Sequence, residues 1–253
     1  MSATPQAPHA LVTGGGRGIG RAIAAALAGQ GITVTVLGRQ RAALDAVVTA
    51  GDAHFADVAD VADQAAIAAA IARAAERQPI DILIANAGAA ESAPFAKSDA
   101  ALFARMMDVN FMGVVHSIQA ALPSMKTRPH GRIVAVASTA ALKGYAYVSA
   151  YSAAKHAVVG LVRSLALELA TTPITVNAVC PGFTDTDLVA GSIDNIMKKT
   201  GRSREQAIAE LAEHNPQGRL VTPQQVADTV LWLCGDGAGA ITGQAIAVAG
   251  GEI

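Results

Sequence analysis

The sequence has little charge and no surplus of either sign, and this excludes several broad classes of protein. Charged residues make up 15% of the 253 positions, whereas apolar residues make up 52%. A composition so poor in charge and so rich in apolar side chains excludes a disordered or solvating chain. The formal net charge is −1, so there is no basic field that would attract nucleic acid.

Long apolar runs and targeting signals are also lacking. No apolar run reaches the roughly 18 residues that a helix needs to cross a membrane, so no membrane association is predicted. The stretch from Met1 to Pro8 lacks the charged-then-apolar layout of a signal peptide. We therefore expect a cytoplasmic protein in which residues 1–8 are flexible.

Cysteine is scarce. Cys180 and Cys234 are the only two cysteines, and both lie in apolar runs. This placement predicts two buried free thiols in a reducing compartment, with a single disulfide as the less favoured alternative. Two thiols so far apart offer too few ligands for a zinc site, so no metal is predicted.

Short runs rich in Val and Ile alternate with Ala-rich stretches of helical length. Continuous apolar runs are typical of strands covered on both faces, and their alternation with helices implies right-handed crossovers in a parallel sheet. The predicted fold class is α/β: a doubly wound parallel sheet of Rossmann type in one domain, residues 9–253. The predicted strands are 9–13, 33–38, 80–85, 132–137, 175–180 and one near 245–248, with a further third strand placed just before Asp57. The predicted helices are 18–28, 60–76, 101–125, 151–170 and 223–233.

The segment 183–220 breaks this alternation, because it contains no predicted strand and polar residues interrupt its helical pattern. An insert between a strand and the next helix often forms a lid, so we predict a small helical lid over the substrate. Its cations have two interpretations: a solvated helix face, or contacts for the phosphates of a CoA or carrier-protein arm. They are Lys198, Lys199, Arg202 and Arg204.

A glycine-rich turn joins the first predicted strand to the first predicted helix. Glycine allows the backbone to approach a phosphate closely, and the helix points its free N–H groups and positive dipole end at a pyrophosphate. A turn that serves only packing is the alternative, but the position between strand and helix favours a dinucleotide site. The cofactor-binding residues predicted here are Gly14, Gly16, Arg17, Gly18, Ile19 and Gly20.

The end of the second predicted strand indicates which nucleotide is bound. An acid there would accept the ribose 2′-OH, whereas an arginine would meet a 2′-phosphate. Arg39 occupies this place, and Arg17 lies in the glycine turn. Both favour NADP(H). NAD(H) is the alternative if Arg39 and Arg41 are only solvated residues at a helix start.

Two further strand ends supply predicted cofactor contacts. Asp57 could accept a hydrogen bond from the adenine amino group, or it could cap a helix, a role also open to Asp60. The Asn-Ala-Gly motif at 86–88 ends a strand at the carboxyl edge, where ligands bind in open α/β sheets. The cofactor residues predicted at these two ends are Asp57, Val58, Asn86, Ala87 and Gly88.

Three residues form a candidate catalytic group. Ser138 follows a predicted strand, and Tyr151 and Lys155 lie four residues apart at the start of a predicted helix. Residues four apart share a helix face, so phenol and ammonium can reach one cleft. A free phenol titrates near pH 10, and a nearby ammonium and a positively charged nicotinamide would lower its pKa toward that of a useful acid/base. Ser138 could then hydrogen-bond the substrate oxygen.

The pair alone has a plainer interpretation, an amphipathic helix with a snorkelling lysine. Tyr145 and Tyr147 are nearby tyrosines without a lysine at the same spacing. The serine at the preceding strand end and the upstream glycine turn favour the catalytic interpretation of Tyr151 and Lys155.

Taken together, these motifs resemble the short-chain dehydrogenases/reductases over nearly the whole chain. The resemblance implies that Asn110 kinks its helix and holds a water that relays protons from Lys155, which also grips the nicotinamide ribose. It further implies that the segment 181–186 covers the nicotinamide. One departure is Ala85, where members often have Asn. The residues that carry or follow from the resemblance are Gly14, Gly18, Gly20, Asn86, Ala87, Gly88, Asn110, Ser138, Tyr151, Lys155, Pro181, Gly182, Thr184 and Thr186.

The resemblance also implies an activity: hydride transfer between a nicotinamide and a ketone or secondary alcohol. In detail the chain is similar to 3-oxoacyl-thioester reductases and 3-hydroxyacyl-CoA dehydrogenases, so the expected substrate is carried on CoA or an acyl carrier protein. A secondary-alcohol, sugar or steroid dehydrogenase is the alternative, and a catalytically silent nucleotide sensor is a weaker one. Members commonly form homotetramers, and the two long helices predicted at 101–125 and 151–170 are apolar beyond one stripe, which suits a buried interface.

Overall fold

The computed structural model of the chain describes residues 7–253, so the flexible segment predicted at 1–8 lies almost entirely outside the described part. Within that part, seven parallel strands form one sheet in the order β3-β2-β1-β4-β5-β6-β7. The strands are β1 His9–Thr13, β2 Thr33–Gly38, β3 Phe55–Val58, β4 Ile82–Ala85, β5 Gly131–Val136, β6 Ile174–Pro181 and β7 Ala245–Val248.

Helices connect these strands. They are α1 Gly18–Ala28, α2 Arg41–Thr49, α3 Gln64–Arg77, α4 Ala100–Met107, α5 Gly113–Met125, α6 Ser149–Glu168, α7 Asp187–Thr200, α8 Arg204–Ala212 and α9 Pro223–Cys234. The doubly wound parallel sheet predicted from the apolar runs is confirmed.

The sheet is covered on both faces because successive side chains of a strand point in opposite directions. In β1, Leu11 packs into one hydrophobic core and Val12 into the other. In β5, Ile133 and Val134 divide in the same way. This double burial explains why the central strands are continuously apolar rather than alternating.

The strand order reverses at β1, which pairs with β2 on one side and β4 on the other. The connections from β1 and β4 therefore leave in opposite directions, and a crevice opens between them at the carboxyl ends of the strands. This position is where the sequence motifs of the candidate site converge.

The helix predicted over 101–125 is not continuous, and the kink that the resemblance implied at Asn110 is confirmed. A π-helical segment, Asp108–Met112, separates α4 from α5 and contains the buried Asn110. Its side-chain amide donates to the carbonyls of Ala89 and Met106, at 2.9 and 3.0 Å. A side chain that inserts in this way into the helical ladder is a recognised cause of a local bulge.

Other element boundaries also differ from the prediction. The helix predicted from residue 60 begins at Gln64, because Asp63 caps it by accepting from the N–H groups of Ala65 and Ala66. Neither Asp57 nor Asp60 is that cap, so the predicted capping alternative is wrong. Helix α2 was not among the predicted helices, since only its first residue, Arg41, was considered as a helix start.

The segment predicted as a lid contains α7 and α8. Its helices enclose a small hydrophobic cluster of their own, formed by Val189, Ile193, Ala207 and Leu211. Thr184, near the start of the segment, and Val221, just after its end, form an isolated parallel bridge. The insert is thus a pair of helices whose two ends are joined by this backbone bridge, beside the end of β6.

Both cysteines are free, as predicted. Burial raises the pKa of Cys180 to about 11 and that of Cys234 to about 12, so neither thiol is activated. Among residues 7–253, no helix is both long and apolar enough to span a bilayer, and no three His, Cys, Asp or Glu side chains are placed to hold a metal ion.

Candidate active site

One cleft of about 900 Å³ lies at the carboxyl ends of the central strands. It collects side chains from both halves of the sheet and from the lid. The predicted site residues that line it are Gly14, Gly16, Arg17, Gly18, Ile19, Gly20, Arg39, Asn86, Ala87, Gly88, Asn110, Ser138, Tyr151, Lys155, Pro181, Gly182, Thr184 and Thr186.

The glycine turn is packed too closely for side chains. A Cβ on Gly20 would lie 2.3 Å from the carbonyl oxygen of Gly14, and Gly14 itself has a φ of +65°. Arg17 precedes α1 in an extended conformation and supplies no side-chain cap. The first N–H groups of α1 therefore remain available to an anionic ligand in the cleft.

The end of β4 is fastened to this turn by side-chain hydrogen bonds. The Thr13 hydroxyl accepts from the N–H groups of Asn86 and Ala87, at 3.0 and 3.1 Å. The Asn86 amide donates to the Thr13 carbonyl at 2.9 Å. The two strand ends that flank the switch point thus form one rigid floor.

Two arginines lie where the cleft opens near β2. Arg39 and Arg17 are largely exposed, with side chains 71% and 66% accessible. Arg39 lies 3.9 Å from Asp60, and Arg17 lies 3.7 Å from Asp187 at the start of α7. Exposed pairs of this kind are weak, so both guanidinium groups remain available to a ligand.

Asp57 and Val58 are not among the residues that line the cleft, and the contact of Asp57 with the adenine stays a prediction. The Asp57 carboxylate is mostly buried and forms ion pairs with Arg73, at 3.3 Å, and with Arg77. The physical reason is that α3 runs back beside β3 and presents two guanidinium groups, which a buried carboxylate needs. The cleft edge after β3 consists instead of Ala59, Asp60 and Val61. Asp60, which the sequence suggests only as a possible cap, lies beside Arg39 instead.

Ser138, Tyr151 and Lys155 meet in the middle of the cleft. Ser138 follows β5, and its side chain forms a hydrogen bond with the Tyr151 hydroxyl. Lys155, one turn along α6, places its ammonium 5.7 Å from the centroid of the Tyr151 ring. The ammonium donates to the Val136 carbonyl at 2.9 Å. Serine, phenol and ammonium therefore share one surface of the cleft.

The pKa of Tyr151 is shifted in the direction opposite to that expected. Burial raises the pKa of the phenol, and the hydrogen bond with Ser138 only opposes this effect. Burial also lowers the pKa of Lys155 to about 8. The expected lowering of the phenol pKa relied on positive charge nearby, and the Lys155 ammonium is directed at the Val136 carbonyl. The protein alone thus holds Tyr151 as a proton donor.

Gly88 separates Lys155 from Asn110. A Cβ at Gly88 would lie 2.8 Å from Asn110 Oδ1 and 3.5 Å from Lys155 Nζ. Asn110 Oδ1 also accepts from the Ala89 N–H at 3.2 Å. Because residue 88 is glycine, the π-helical segment can approach the Lys155 ammonium. The proton-relay role of Asn110 stays a prediction.

The segment after β6 reaches back to the glycine turn. The hydroxyl of Thr184, which is buried, donates to the Gly182 carbonyl at 2.9 Å. A Cβ on Gly18 would lie 3.3 Å from the Thr186 side chain. The start of the lid thus closes over the first residues of α1.

An aromatic group lines the other end of the cleft, and of its members only Tyr145 was predicted from the sequence to lie beside the entering acyl end. The Tyr145 ring packs edge-on against Phe183 and His214, with centroids 5.9 and 5.7 Å apart, and Phe183 stacks on His214 at 5.3 Å. Tyr145 donates to Glu252 at 2.5 Å. Phe183 could have been found because it directly follows Pro181 and Gly182, whereas no local signal links Glu252 to this place.

Tyr147 is held at the cleft mouth in a strained conformation. Its φ is +68°, and its side chain is 66% exposed. Its carbonyl accepts from the Ala93 N–H at 2.8 Å, which ties together the two loops that flank the mouth. The structure therefore separates the three tyrosines: Tyr151 next to Ser138, Tyr145 in the aromatic wall and Tyr147 at the rim.

Comparison with known proteins agrees with this geometry. The family model described as short chain dehydrogenase matches residues 8–197. A putative ketoacyl reductase of Streptomyces coelicolor is 38% identical over 98% of this chain and 98% of its own. A D-beta-hydroxybutyrate dehydrogenase of Rhizobium meliloti is 35% identical over 96% of this chain and 97% of its own.

A solved structure is similar over the whole fold. A variant of actinorhodin polyketide ketoreductase, crystallised with NADPH, has a TM-score of 0.94 and 37% identity, and the match covers 99% of this chain and 98% of that one. Family, fold and activity thus agree: the protein is an NAD(P)-dependent oxidoreductase that transfers hydride between a nicotinamide and a ketone or alcohol, and it belongs to the short-chain dehydrogenase/reductase family.

Proposed function

We propose that the protein prefers NADP(H) and reduces a 3-oxoacyl group carried as a thioester. The observation that carries the cofactor choice is the pair of accessible arginines, Arg39 and Arg17, at the opening of the cleft near β2. A guanidinium group there matches a 2′-phosphate. The NADPH in the similar actinorhodin ketoreductase supports the same choice.

The glycine turn fits the pyrophosphate of such a cofactor. Its backbone is free of side chains where Gly14 and Gly20 meet, and the N-terminus of α1 faces the cleft. Asn86, Ala87 and Gly88 would flank the adenosine and ribose, and the segment 181–186 would cover the nicotinamide. When bound, NADPH supplies the hydride.

In the proposed mechanism, the protein's own residues manage the proton. Tyr151 donates the proton to the carbonyl oxygen as hydride arrives, since burial holds the phenol protonated. Ser138 positions that oxygen through its hydroxyl. Lys155 stabilises the resulting phenolate, and the π-helical segment with Asn110 connects Lys155 to a proton source. In the oxidative direction, Tyr151 takes the proton back.

The positions of the cationic side chains in the lid support the proposal of a thioester substrate. Of the four lid cations, Arg202 pairs with Glu210, and Arg204 pairs with Asp194 at 3.7 Å. Lys199 lines the cleft, as do Asn195 and Thr200. The cation proposed to meet a phosphate of a CoA or carrier-protein arm is therefore Lys199. The relatives named as ketoacyl reductases support the same class of substrate.

A secondary-alcohol dehydrogenase of small molecules is the second candidate. It is favoured by the similarity to D-beta-hydroxybutyrate dehydrogenases and to a cis-4-hydroxycyclohexanecarboxylate dehydrogenase of Sinomonas cyclohexanicum, which is 38% identical. A catalytically silent nucleotide sensor is disfavoured, because Ser138, Tyr151 and Lys155 are all present and share the cleft.

We also propose a cytoplasmic homotetramer. The support is the exposed apolar surface on helices that the fold leaves on its outside: the Leu167 side chain on α6 is 80% exposed, and Trp232 on α9 is 50% exposed. Sedimentation at several protein concentrations tests this assembly, and a monomer throughout would contradict it.

The decisive test of the activity is a substrate panel. Acetoacetyl-CoA, ethyl acetoacetate, cyclic ketones and secondary alcohols are assayed with both NADPH and NADH, and the absorbance of the reduced cofactor is followed. The proposal expects the highest kcat/KM for acetoacetyl-CoA with NADPH. A preference for small alcohols, or for NADH, would support the second candidate instead.

A further inference from the structure

Glu252, which follows β7, contacts the 143–145 loop and lies beside Gly182 at the end of β6, at the substrate end of the cleft. Its carboxylate is almost fully buried, with a side chain 2% exposed. It accepts from the Tyr145 hydroxyl at 2.5 Å and lies 3.0 Å from the Lys143 ammonium. A Cβ added at Gly182 would lie 3.1 Å from its Oε2. A buried carboxylate that meets both the 143–145 loop and the end of β6 is placed to fix their separation.

The backbone that carries Glu252 is itself held against the end of the lid. Gly250 and Gly251 have φ angles of +63° and +95°, and a Cβ on Gly250 would lie 1.9 Å from Asn215 Oδ1. The Asn215 amide donates to the Arg219 carbonyl at 2.7 Å. The turn after β7 thus fits only glycine, and it delivers Glu252 to one defined position.

The hydrogen bonds of Tyr145 decide which part of that side chain a substrate meets. Its hydroxyl donates to Glu252 and lies 2.6 Å from Thr139 Oγ1. Burial and the Glu252 carboxylate raise the pKa of Tyr145 well above its usual value, and its hydroxyl proton is directed at Glu252 rather than at the substrate. Its hydroxyl is thereby engaged, and the ring joins Phe183 and His214 as an aromatic wall.

We propose that Glu252 is a positioning residue that holds Tyr145 as the aromatic wall of the substrate site, and that this wall selects ketones with a flat apolar substituent. The inference rests on the proposed function in one respect, that Tyr151 marks where the carbonyl lies. All three tyrosines of the chain line this cleft, in a sequence with only 4% aromatic residues. Edge and face contacts with aromatic rings favour a planar partner over a short alkyl chain.

The test compares two β-keto esters that differ in one substituent, ethyl benzoylacetate and ethyl acetoacetate, with NADPH. In Glu252→Ala, kcat/KM for ethyl benzoylacetate should fall about tenfold or more, as expected on removing a hydrogen bond to a charged group. The kcat/KM for ethyl acetoacetate should change little, and the dissociation constant for NADPH should stay the same. Glu252→Gln keeps an acceptor for the Tyr145 hydroxyl and should recover part of the loss.

Tyr145→Phe provides a second route to the same measurement, because it removes only the hydroxyl and should not impair folding. It should reproduce the loss of aryl selectivity, and the double variant with Glu252→Ala should be no worse than either single variant. Glu168→Ala, an exposed glutamate on α6, is the matched control and should behave as wild type.

Equal losses for both esters, or additive losses in the double variant, would overturn the inference. If the wild type reduces neither ester, the proposed thioester activity is judged separately with acetoacetyl-CoA. The ratio of kcat/KM for an aryl ketone to kcat/KM for an alkyl ketone is then measured with acetophenone and 2-butanone. If Glu252→Ala and Tyr145→Phe leave this ratio unchanged, the inference is again overturned.

Discussion

The cofactor end and the substrate end of the cleft are built in different ways. At the cofactor end, the close contacts lie within one local motif, as between Gly14 and Gly20, or join two motifs at strand ends, as between Thr13 and Asn86. At the substrate end, the contacts join side chains from distant segments, such as Tyr145 with Glu252. The first arrangement leaves little freedom for sequence change, whereas the second can be altered one side chain at a time.

The largest effect on turnover should come from Tyr151, which lies between the cofactor end and the substrate end of the cleft. Tyr151→Phe removes the hydroxyl and keeps the ring, so folding and cofactor binding should survive while turnover falls by roughly 10² or more. Steady-state kinetics with NADPH, together with cofactor titration, measures both properties.

Tyr147→Phe is the control for this prediction, because Tyr147 lies at the cleft rim. It should retain near-normal turnover. If Tyr147→Phe were the inactive variant and Tyr151→Phe the active one, the proton donor would be wrongly assigned.

At the cofactor end, Arg39→Ala should weaken NADPH binding by about 1.5–3 kcal/mol, as for a charged hydrogen bond, and leave NADH binding nearly unchanged. Gly38→Asp should shift the preference to NADH, since an acid there accepts from the ribose 2′-OH. Arg41→Ala is a matched control, because Arg41 pairs with Asp45 at 2.8 Å and is not among the cleft-lining residues. Equal loss of both cofactors in Arg39→Ala would refute the assignment.

The pH dependence of kcat/KM for NADPH should report the ionisation of Lys155, whose buried ammonium lies between the cofactor end and the substrate end of the cleft. Burial lowers the pKa of Lys155 to about 8, so its charge is present below that pH and is lost above it. The value of kcat/KM for NADPH, which reports ionisations of the free enzyme, should therefore decline above about pH 8. Lys155→Arg stays charged and should lack this decline, even if its rate is lower throughout. A wild-type profile that is flat to pH 10 would disprove the assignment.

The smallest effect should come from the lid. Lys199→Gln should raise KM for acetoacetyl-CoA by about 1.4- to fivefold, since an exposed charge contact contributes only about 0.2–1 kcal/mol. Ethyl acetoacetate should be unaffected, and the difference should shrink at high salt. Lys198→Gln is the control, because Lys198 is a neighbouring exposed lysine outside the cleft lining. Identical responses of the two variants would restore the interpretation of a solvated helix face.

Sequence reasoning was most successful where one strand end carries one motif. The glycine turn, the Asn-Ala-Gly motif at 86–88 and the Tyr151–Lys155 pair were each placed in the cleft, because parallel strands deliver their carboxyl ends to a common edge. The family and the doubly wound fold followed from the same local patterns.

Sequence reasoning was weakest where a tertiary contact decides the outcome. The π-helical segment depends on Asn110 binding Ala89 across the cleft wall. The position of Asp57 depends on two arginines of α3. Contacts of this kind leave no periodic pattern in the sequence: the kink at Asn110 was implied only by the family resemblance, and the ion pairs of Asp57 were not predicted.

The separate hydrophobic cluster of the lid has a consequence for engineering. Because Val189, Ile193, Ala207 and Leu211 pack mainly with one another, α7 and α8 form a cassette whose interior does not depend on the two cores of the sheet. Grafting the corresponding helices from a relative would therefore exchange the shape of the substrate entrance while the proton donor stays on α6. New substrate ranges could in this way be sampled by recombination of whole helical pairs.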